Sequence, residues 1–327
     1  MAASRLRVLF RVAAGPRVGF GHLVRAVRLA DALDADCALS IRGTAPSVAT
    51  RGLQVVDGGV RVLDALQPSL LVLDTPAIHD ALRWTAAARR RGVRVASIHD
   101  LGIAPVPSDL AIDGSVNAGA VAGALRTLSG PRYALVDPRC AAASRPAVND
   151  SRVLIALGGG PRRRAAGRIA KAIRQIAPAS RVDIAAGFSP DRPATGDRSV
   201  RWLGPQRSLV PHLCRAAVAV VAGGVTSYES AAVGVPTVAL AVVAAQRPTI
   251  RGLAAAGALV DSRITLGTSG SVRADEARAI AVRVGRLMAS ERKAAGGRAG
   301  RALVDGRGIA RVARALMALT RAGRGVA

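Results

Sequence analysis

An apolar run at 217–222 leads into Gly223, Gly224, Val225, Thr226, Ser227, Tyr228 and Glu229, and the segment ends at Gly234, Val235 and Pro236. This order describes a strand, a tight loop, a helix and a second strand. A helix starting near Thr226 leaves its first backbone N–H groups unpaired and aimed outward, which suits the charge of a diphosphate. Glu229 falls one turn further in, where a carboxylate accepts hydrogen bonds from a ribose diol. Thr226 and Ser227 add hydroxyls to the same loop. These residue types in this order point to a nucleotide-sugar site.

A second group opens the chain. Gly15, Pro16, Arg17, Val18, Gly19, Phe20, Gly21, His22 and Arg25 follow a short apolar strand and begin a helix. Gly19 and Gly21 let the backbone turn sharply and approach a ligand. His22 at a helix N-terminus meets a dipole that disfavours added positive charge, so a neutral imidazole there serves as a base or positions a water. Arg25, one turn on, is expected to face the same ligand. Asp74 and Asp100 end predicted strands on the same sheet edge and are candidates to orient His22 or a substrate hydroxyl. Bland alternatives stand beside each: a capping His22, a solvated Arg25, helix-capping acids.

Three further loops stand at strand ends: Gly158, Gly159 and Gly160 before Pro161 and Arg162; Trp202 to Arg207; and Val243 to Arg247, in which Gln246 is placed to meet a sugar hydroxyl. A tight turn or a helix cap explains each equally well when taken alone. A dinucleotide fingerprint at Gly19 and Gly21 lacks its third glycine, since Val24 stands there, and Arg42 ends the second strand in place of an acid. The sequence contains no phosphate-binding P-loop pattern, zinc-protease helix motif or nucleophile elbow.

The elements that must position these residues alternate along the chain. Strands are predicted at 7–12, 37–41, 70–73, 93–98 and 110–112, with helices at 21–33, 61–66 and 78–91. The pattern restarts after 151, with strands at 153–157, 182–185, 200–203, 218–222 and 237–240. Helices at 163–176, 209–216, 226–233 and 247–256 lie between them, and terminal helices follow at 274–288 and 309–321. Such alternation predicts an α/β protein of two doubly wound, Rossmann-like domains. The first spans 1–145 and the second 151–327. Ligands of these folds lie outside the carboxyl ends of the strands, so a cleft faced by both domains is the expected site.

Composition bounds the rest. The 327 residues are 50% hydrophobic but only 2% aromatic, so the cores rest on Ala, Val, Leu and Ile. No apolar run approaches the ~20 residues that span a bilayer, and a cytoplasmic protein is expected. Cys37, Cys140 and Cys214 have no metal-ligand spacing. The net charge of +26 would ordinarily suggest nucleic acid. The basic residues are nearly all dispersed Arg, Lys171 and Lys293 being the only lysines. No aromatic residues interleave with them for base stacking. Solvated faces explain this charge better than specific nucleic-acid binding, and weak attraction to an anionic membrane surface stays open.

The motifs Gly-x-Gly-His-x-x-Arg, Asp74, Ile98-His99-Asp100, Gly158-Gly159, Gly223–Pro236 and Gln246 together resemble the UDP-sugar hydrolases of pseudaminic-acid biosynthesis and their spore-coat polysaccharide relatives. These are similar to the glycosyltransferase B (GT-B) fold, including the enzyme that makes lipid II. The resemblance runs from Arg5 to about Asp261. It implies attack of water on the anomeric carbon of a UDP-linked diacetamido-trideoxy-hexose with loss of UDP. His22 then matches the essential histidine, Glu229 the ribose-binding glutamate, and Gly223 to Ser227 the diphosphate loop. The chain departs from the family at three points. Thr75 and Pro76 stand where a His-Tyr pair follows the acid, Ala245 replaces an Asn, and His99 replaces the first of two acids. A glycosyltransferase with the same donor site is the alternative, and a non-catalytic nucleotide-sugar-binding protein is a third reading. No cofactor or metal is called for, because the helix N-terminus near Thr226 can stabilise the leaving diphosphate.

Overall fold

The computed structural model describes residues 5–16, 18–99, 105–145, 151–158, 162–188, 197–267, 269–290 and 293–322. The chain divides into two compact units, 1–135 together with 307–327, and 136–306.

In the first unit β1 (Arg7–Ala14), α1 (Gly21–Ala30), β2 (Asp36–Gly43), α2 (Ser47–Thr50), β3 (Gln54–Val55) and α3 (Val62–Leu66) come first. Then follow β4 (Leu70–Asp74), α4 (Ile78–Arg89), β5 (Arg94–His99), β6 (Leu110–Asp113) and β7 (Thr127–Ser129). Among the described residues these strands form one parallel sheet in the order β3-β2-β1-β4-β5-β6-β7. The strands are short apolar runs because both faces are covered, as parallel sheets require. One face packs Leu9, Leu71, Leu73 and Val95 against Leu63 and Trp84. Arg11 crosses this layer to pair with Asp80 on α4 through two bonds of 2.9 and 3.0 Å.

The second unit runs β8 (Arg152–Ala156), α5 (Arg163–Ile176), β9 (Arg181–Ala185), β10 (Val200–Leu203), α6 (Val210–Arg215) and β11 (Val218–Ala222). It continues with α7 (Val225–Val233), β12 (Thr237–Ala241), α8 (Arg247–Ala255), β13 (Val260–Thr265), α9 (Ala274–Ala289) and α10 (Lys293–Leu303). Its parallel sheet has the order β10-β9-β8-β11-β12-β13. Val153, Ile155, Val182, Ile184 and Val220 are buried under Ile169 and Ile173 of α5 and Ile280 and Val284 of α9.

The last helix, α11 (Gly308–Ala322), belongs to the first unit, where it packs on α1, β5 and β6. The sequence reading ends the first domain at 145 and keeps this helix with the second. Nothing in the amphipathic pattern of 309–321 says which sheet it will cover. The reading also has no element at 260–265 or 293–303. The strand β13 is an edge strand with a register shift opposite Ala239 and Ala241, and Arg263 in it takes φ 63°. The helix α10 is glycine-rich, which disfavours a helix locally. Close packing explains it. A Cβ on Gly297 would lie 2.5 Å from the Gly234 carbonyl oxygen, and one on Gly300 would lie 2.6 Å from that of Ala231. Only glycine lets α10 approach the backbone of α7 so closely.

Each sheet has a switch point, where the strand order reverses. It lies between β1 and β4 in the first and between β8 and β11 in the second. Ligands of open α/β sheets collect in the crevice at such a point.

Candidate functional site

In the first unit the switch point holds three polar side chains. The loop after β1 closes on itself through Gly15 N–H to the Gly19 carbonyl at 3.1 Å and Gly19 N–H to that of Gly15 at 2.7 Å. Gly19 takes φ 91°, which favours glycine. Gly21 then opens α1, putting His22 in its first turn. Asp74 ends β4 and stands abreast of Val12 in β1. His22 Nδ1 lies 2.7 Å from Asp74 Oδ1. Arg25, three residues beyond His22 and so on the same helix face, grips the same carboxylate. Its Nε donates to Oδ2 at 2.5 Å and its Nη2 to Oδ1 at 2.6 Å.

The side chains of Asp74 and Arg25 are 0% and 6% exposed, and that of His22 is 13% exposed. Burial alone would push the Asp74 carboxyl up. The Arg25 charge, the His22 ring and their hydrogen bonds outweigh it and hold the group down at about 2. A carboxylate is the stronger partner for a ring nitrogen at 2.7 Å, so Nδ1 carries the proton and donates to Asp74. The Nε2 lone pair is then left for other chemistry. Arg25 Nη2, 2.9 Å from Nδ1, is a second donor converging on the same Asp74 oxygen.

These distances separate the roles expected from sequence. His22 does not cap α1, whose N-cap Phe20 makes no side-chain capping bond. Arg25 is engaged inside the protein with Asp74, so it holds the carboxylate where the sequence reading has it facing a ligand. Asp74, one of the two acids offered to orient His22 or a substrate hydroxyl, is in contact with the His22 ring. Asp100 lies outside the described residues. His99 is buried and its Nε2 pairs with Ser97 Oγ at 2.8 Å, which in turn meets Ser108 Oγ at 2.8 Å. Thr75 accepts the Ala77 N–H at 3.3 Å, a local turn bond.

In the second unit the switch point holds the loop after β11 and the start of α7. Among the described residues no acceptor takes the backbone N–H of Gly224, Val225 or Thr226. All three residues are half-exposed. Three donors and a helix dipole thus meet solvent together. Ser227 serves the loop itself, since its Oγ donates to the Gly224 carbonyl at 2.6 Å. Gly223 has a packing reason to be glycine, because a Cβ there would fall 2.6 Å from Ile250 Cγ1.

Glu229 is 2% exposed, and its Oε1 accepts the Asp137 N–H at 3.4 Å. Gln246 is 8% exposed. Its Oε1 accepts the Val242 N–H at 2.9 Å, which fixes the orientation of the amide. The Nε2 donors therefore point toward Gly224, 3.5 Å from where a Cβ would stand. Behind α7, Arg145 Nη1 donates to the Gly234 carbonyl at 2.9 Å and Arg301 Nη1 to that of Val233 at 3.3 Å. Cations at the C-terminal end complement the dipole and steady the helix. Gly158 follows β8 with φ 88°, and Gly159 lies outside the described residues. In the loop after β10, Gln206 bonds the Gly204 carbonyl at 3.0 Å and His212 Nε2 at 3.1 Å, so its side chain is used within the loop.

Among the described residues no group of His, Cys, Asp and Glu is arranged to hold a metal ion, and no helix is long and apolar enough to cross a membrane.

Residues 160–277, which include α7, Glu229 and Gln246, match the family model of UDP-glucoronosyl and UDP-glucosyl transferase. The structure is similar over nearly its whole length to solved GT-B proteins. MurG of Acinetobacter baumannii is 14% identical, with a TM-score of 0.61 and coverage of 95% of this chain and 99% of that one. The spinosyn rhamnosyltransferase SpnG is 18% identical, with a TM-score of 0.64 and coverage of 97% and 99%. The S. aureus MnaA–UDP structure is 10% identical, with a TM-score of 0.65 and coverage of 97% of each chain. No curated protein matches the sequence.

This is a GT-B-fold enzyme. The matched region supports nucleotide-sugar transfer, and the reading as a non-catalytic binding protein is set aside. The transferase match favours the alternative of the sequence reading over its leading hydrolase assignment.

Proposed function

We propose that the enzyme transfers a sugar from a UDP-linked donor to a hydroxyl-bearing acceptor. The observation that carries this reading is the start of α7. Three unpaired N–H groups stand there at a sheet switch point beside a buried glutamate, within the region that matches the UDP-dependent transferases. The diphosphate would sit on the N–H groups of Gly224, Val225 and Thr226. The ribose diol would bond Glu229, and Gln246 Nε2 would donate to a sugar hydroxyl.

His22, oriented by Asp74, supplies the base. Its Nε2 takes the proton of the acceptor hydroxyl as the oxygen bonds the anomeric carbon. The bond from that carbon to the β-phosphate oxygen breaks, and its electron pair leaves with UDP. The helix N-terminus stabilises the charge that develops on the departing oxygen. Hydrolysis uses the same groups with water in place of the acceptor. The Gly19-Phe20-Gly21-His22 loop favours that second reading, and Thr75-Pro76 and Ala245, where its family has other residues, count against it.

Calorimetric titration with UDP tests the donor site. Wild type is expected to bind saturably. Glu229→Ala is expected to bind about 10-fold or more weakly, since a charged hydrogen-bonding partner is worth ~1.5–3 kcal/mol. Equal affinity in both proteins would remove Glu229 from the site. Absence of binding at millimolar UDP would refute the UDP assignment.

A further inference from the structure

The carboxylate that contacts His22 also works against a base. A negative charge 2.7 Å from Nδ1 stabilises a ring that carries two protons, and such a ring has no lone pair left at Nε2. The side chains of Asp74 and His22 are 0% and 13% exposed, so solvent screens this attraction little. An isolated pair of this kind favours the imidazolium more than a ring without the carboxylate would.

Arg25 supplies the opposing charge. Its guanidinium stays protonated at any working pH, and it spans both oxygens of Asp74, Nε to Oδ2 at 2.5 Å and Nη2 to Oδ1 at 2.6 Å. Nη2 also lies 2.9 Å from His22 Nδ1. The ring therefore meets a neutralised carboxylate, and a second proton on it would face a cation across the same gap. A purely structural partner for Asp74 needs only hydrogen-bond donors, which a neutral amide supplies. The other elements around the ring add no second acid. Val12 of β1, abreast of Asp74, is apolar, and α2 carries no ionisable residue. Arg28 lies six residues beyond His22, off the helix face that His22 shares with Arg25. The helix α11, which also packs on α1, carries Arg311, Arg314 and Arg321. Arg314 and Arg321 are exposed, and Arg311 donates to the Arg132 carbonyl at 2.8 Å.

We propose that Arg25 is a positioning residue that sets the pH range in which His22 works. Its charge offsets that of Asp74 at the ring and keeps Nε2 unprotonated, while Asp74 still fixes the ring's orientation. Arg25 itself takes no part in the proton transfer. The proposal rests on the base role of His22 in the transfer reading and adds the control of its protonation.

The test follows the imidazole C–H resonances by NMR through a pH titration of the full chain. There are four histidines, His22, His79, His99 and His212, and the signal lost in His22→Ala identifies the ring of interest. In Arg25→Met its titration midpoint should rise by about one pH unit or more, the scale of a nearby charge. Arg25→Gln keeps donors for Asp74 without the charge and should show the same rise, and it carries the test if Arg25→Met does not fold. Arg25→Lys keeps the charge and should stay close to wild type. The acid limb of the pH profile of kcat should move with the ring. A His22 midpoint unchanged in folded Arg25→Gln would overturn the proposal. So would equal rises in Arg25→Lys and Arg25→Gln, which would make the effect one of shape. A ring that shifts while the acid limb stays would also overturn it. The ring titration needs no donor, so its result is independent of whether UDP-sugar transfer is the right reaction.

Discussion

His22→Ala lowers kcat for sugar transfer by roughly 10²- to 10⁴-fold and changes the donor KM little. General-base catalysis by one positioned side chain contributes on this scale. The ring is assigned a step in which a proton moves, and none in holding the nucleotide, so kcat should bear the loss. The proposed base role draws on one contact. Asp74 fixes the proton on Nδ1 at 2.7 Å and leaves Nε2 able to accept. Steady-state kinetics with a fixed acceptor decide the matter. An unchanged kcat would remove His22 from the chemistry, and a raised donor KM at constant kcat would make it a binding residue.

Arg25→Met destabilises the first unit by about 3–5 kcal/mol, the cost of leaving one partner of a buried ion pair alone. That is a large share of a typical stability of about 5–15 kcal/mol. Asp74 is fully buried and takes three of its contacts from Arg25 and His22. Without Arg25 it must either protonate or stay charged with one donor. Urea unfolding should show a lower midpoint with little change in slope.

The same pair makes the wild type acid-sensitive in a defined window. The folded pKa of Asp74 is depressed to about 2, against about 3.9 in the unfolded chain. Its contribution is fully present above pH 4 and is lost as the pH falls through 2. Stability that Arg25→Met lacks at pH 7 should therefore shrink toward zero difference near pH 2. A difference that stayed constant across this range would show that Arg25 acts by packing alone.

The sheet-forming runs were legible because buried parallel strands are continuous apolar segments, as 70–73 and 218–222 illustrate. Asp74 was legible as a candidate to orient His22, since it ends β4 and His22 opens the helix that follows β1. Their distance was not, because it depends on the order β1-β4 in the sheet. Arg25 was read as facing a ligand, and the structure shows it bonding Asp74. Its i+3 spacing from His22 places it on the same helix face, and that face meets Asp74. Gly223 was read as a ligand-contacting glycine, and the packing of Ile250 of α8 against it gives a second reason for glycine there. The helix α10 was illegible because its glycines oppose a helix until α7 is present to pack against.

The most direct test is UDP release from UDP-hexoses by the wild-type enzyme, measured with and without a pool of hydroxyl-bearing acceptors. The account predicts release that depends on the acceptor and stops in His22→Ala. Release at the same rate without acceptor would replace transfer by hydrolysis. No release from any UDP-sugar, by a protein that binds UDP, would contradict the assignment of the enzyme to UDP-sugar chemistry.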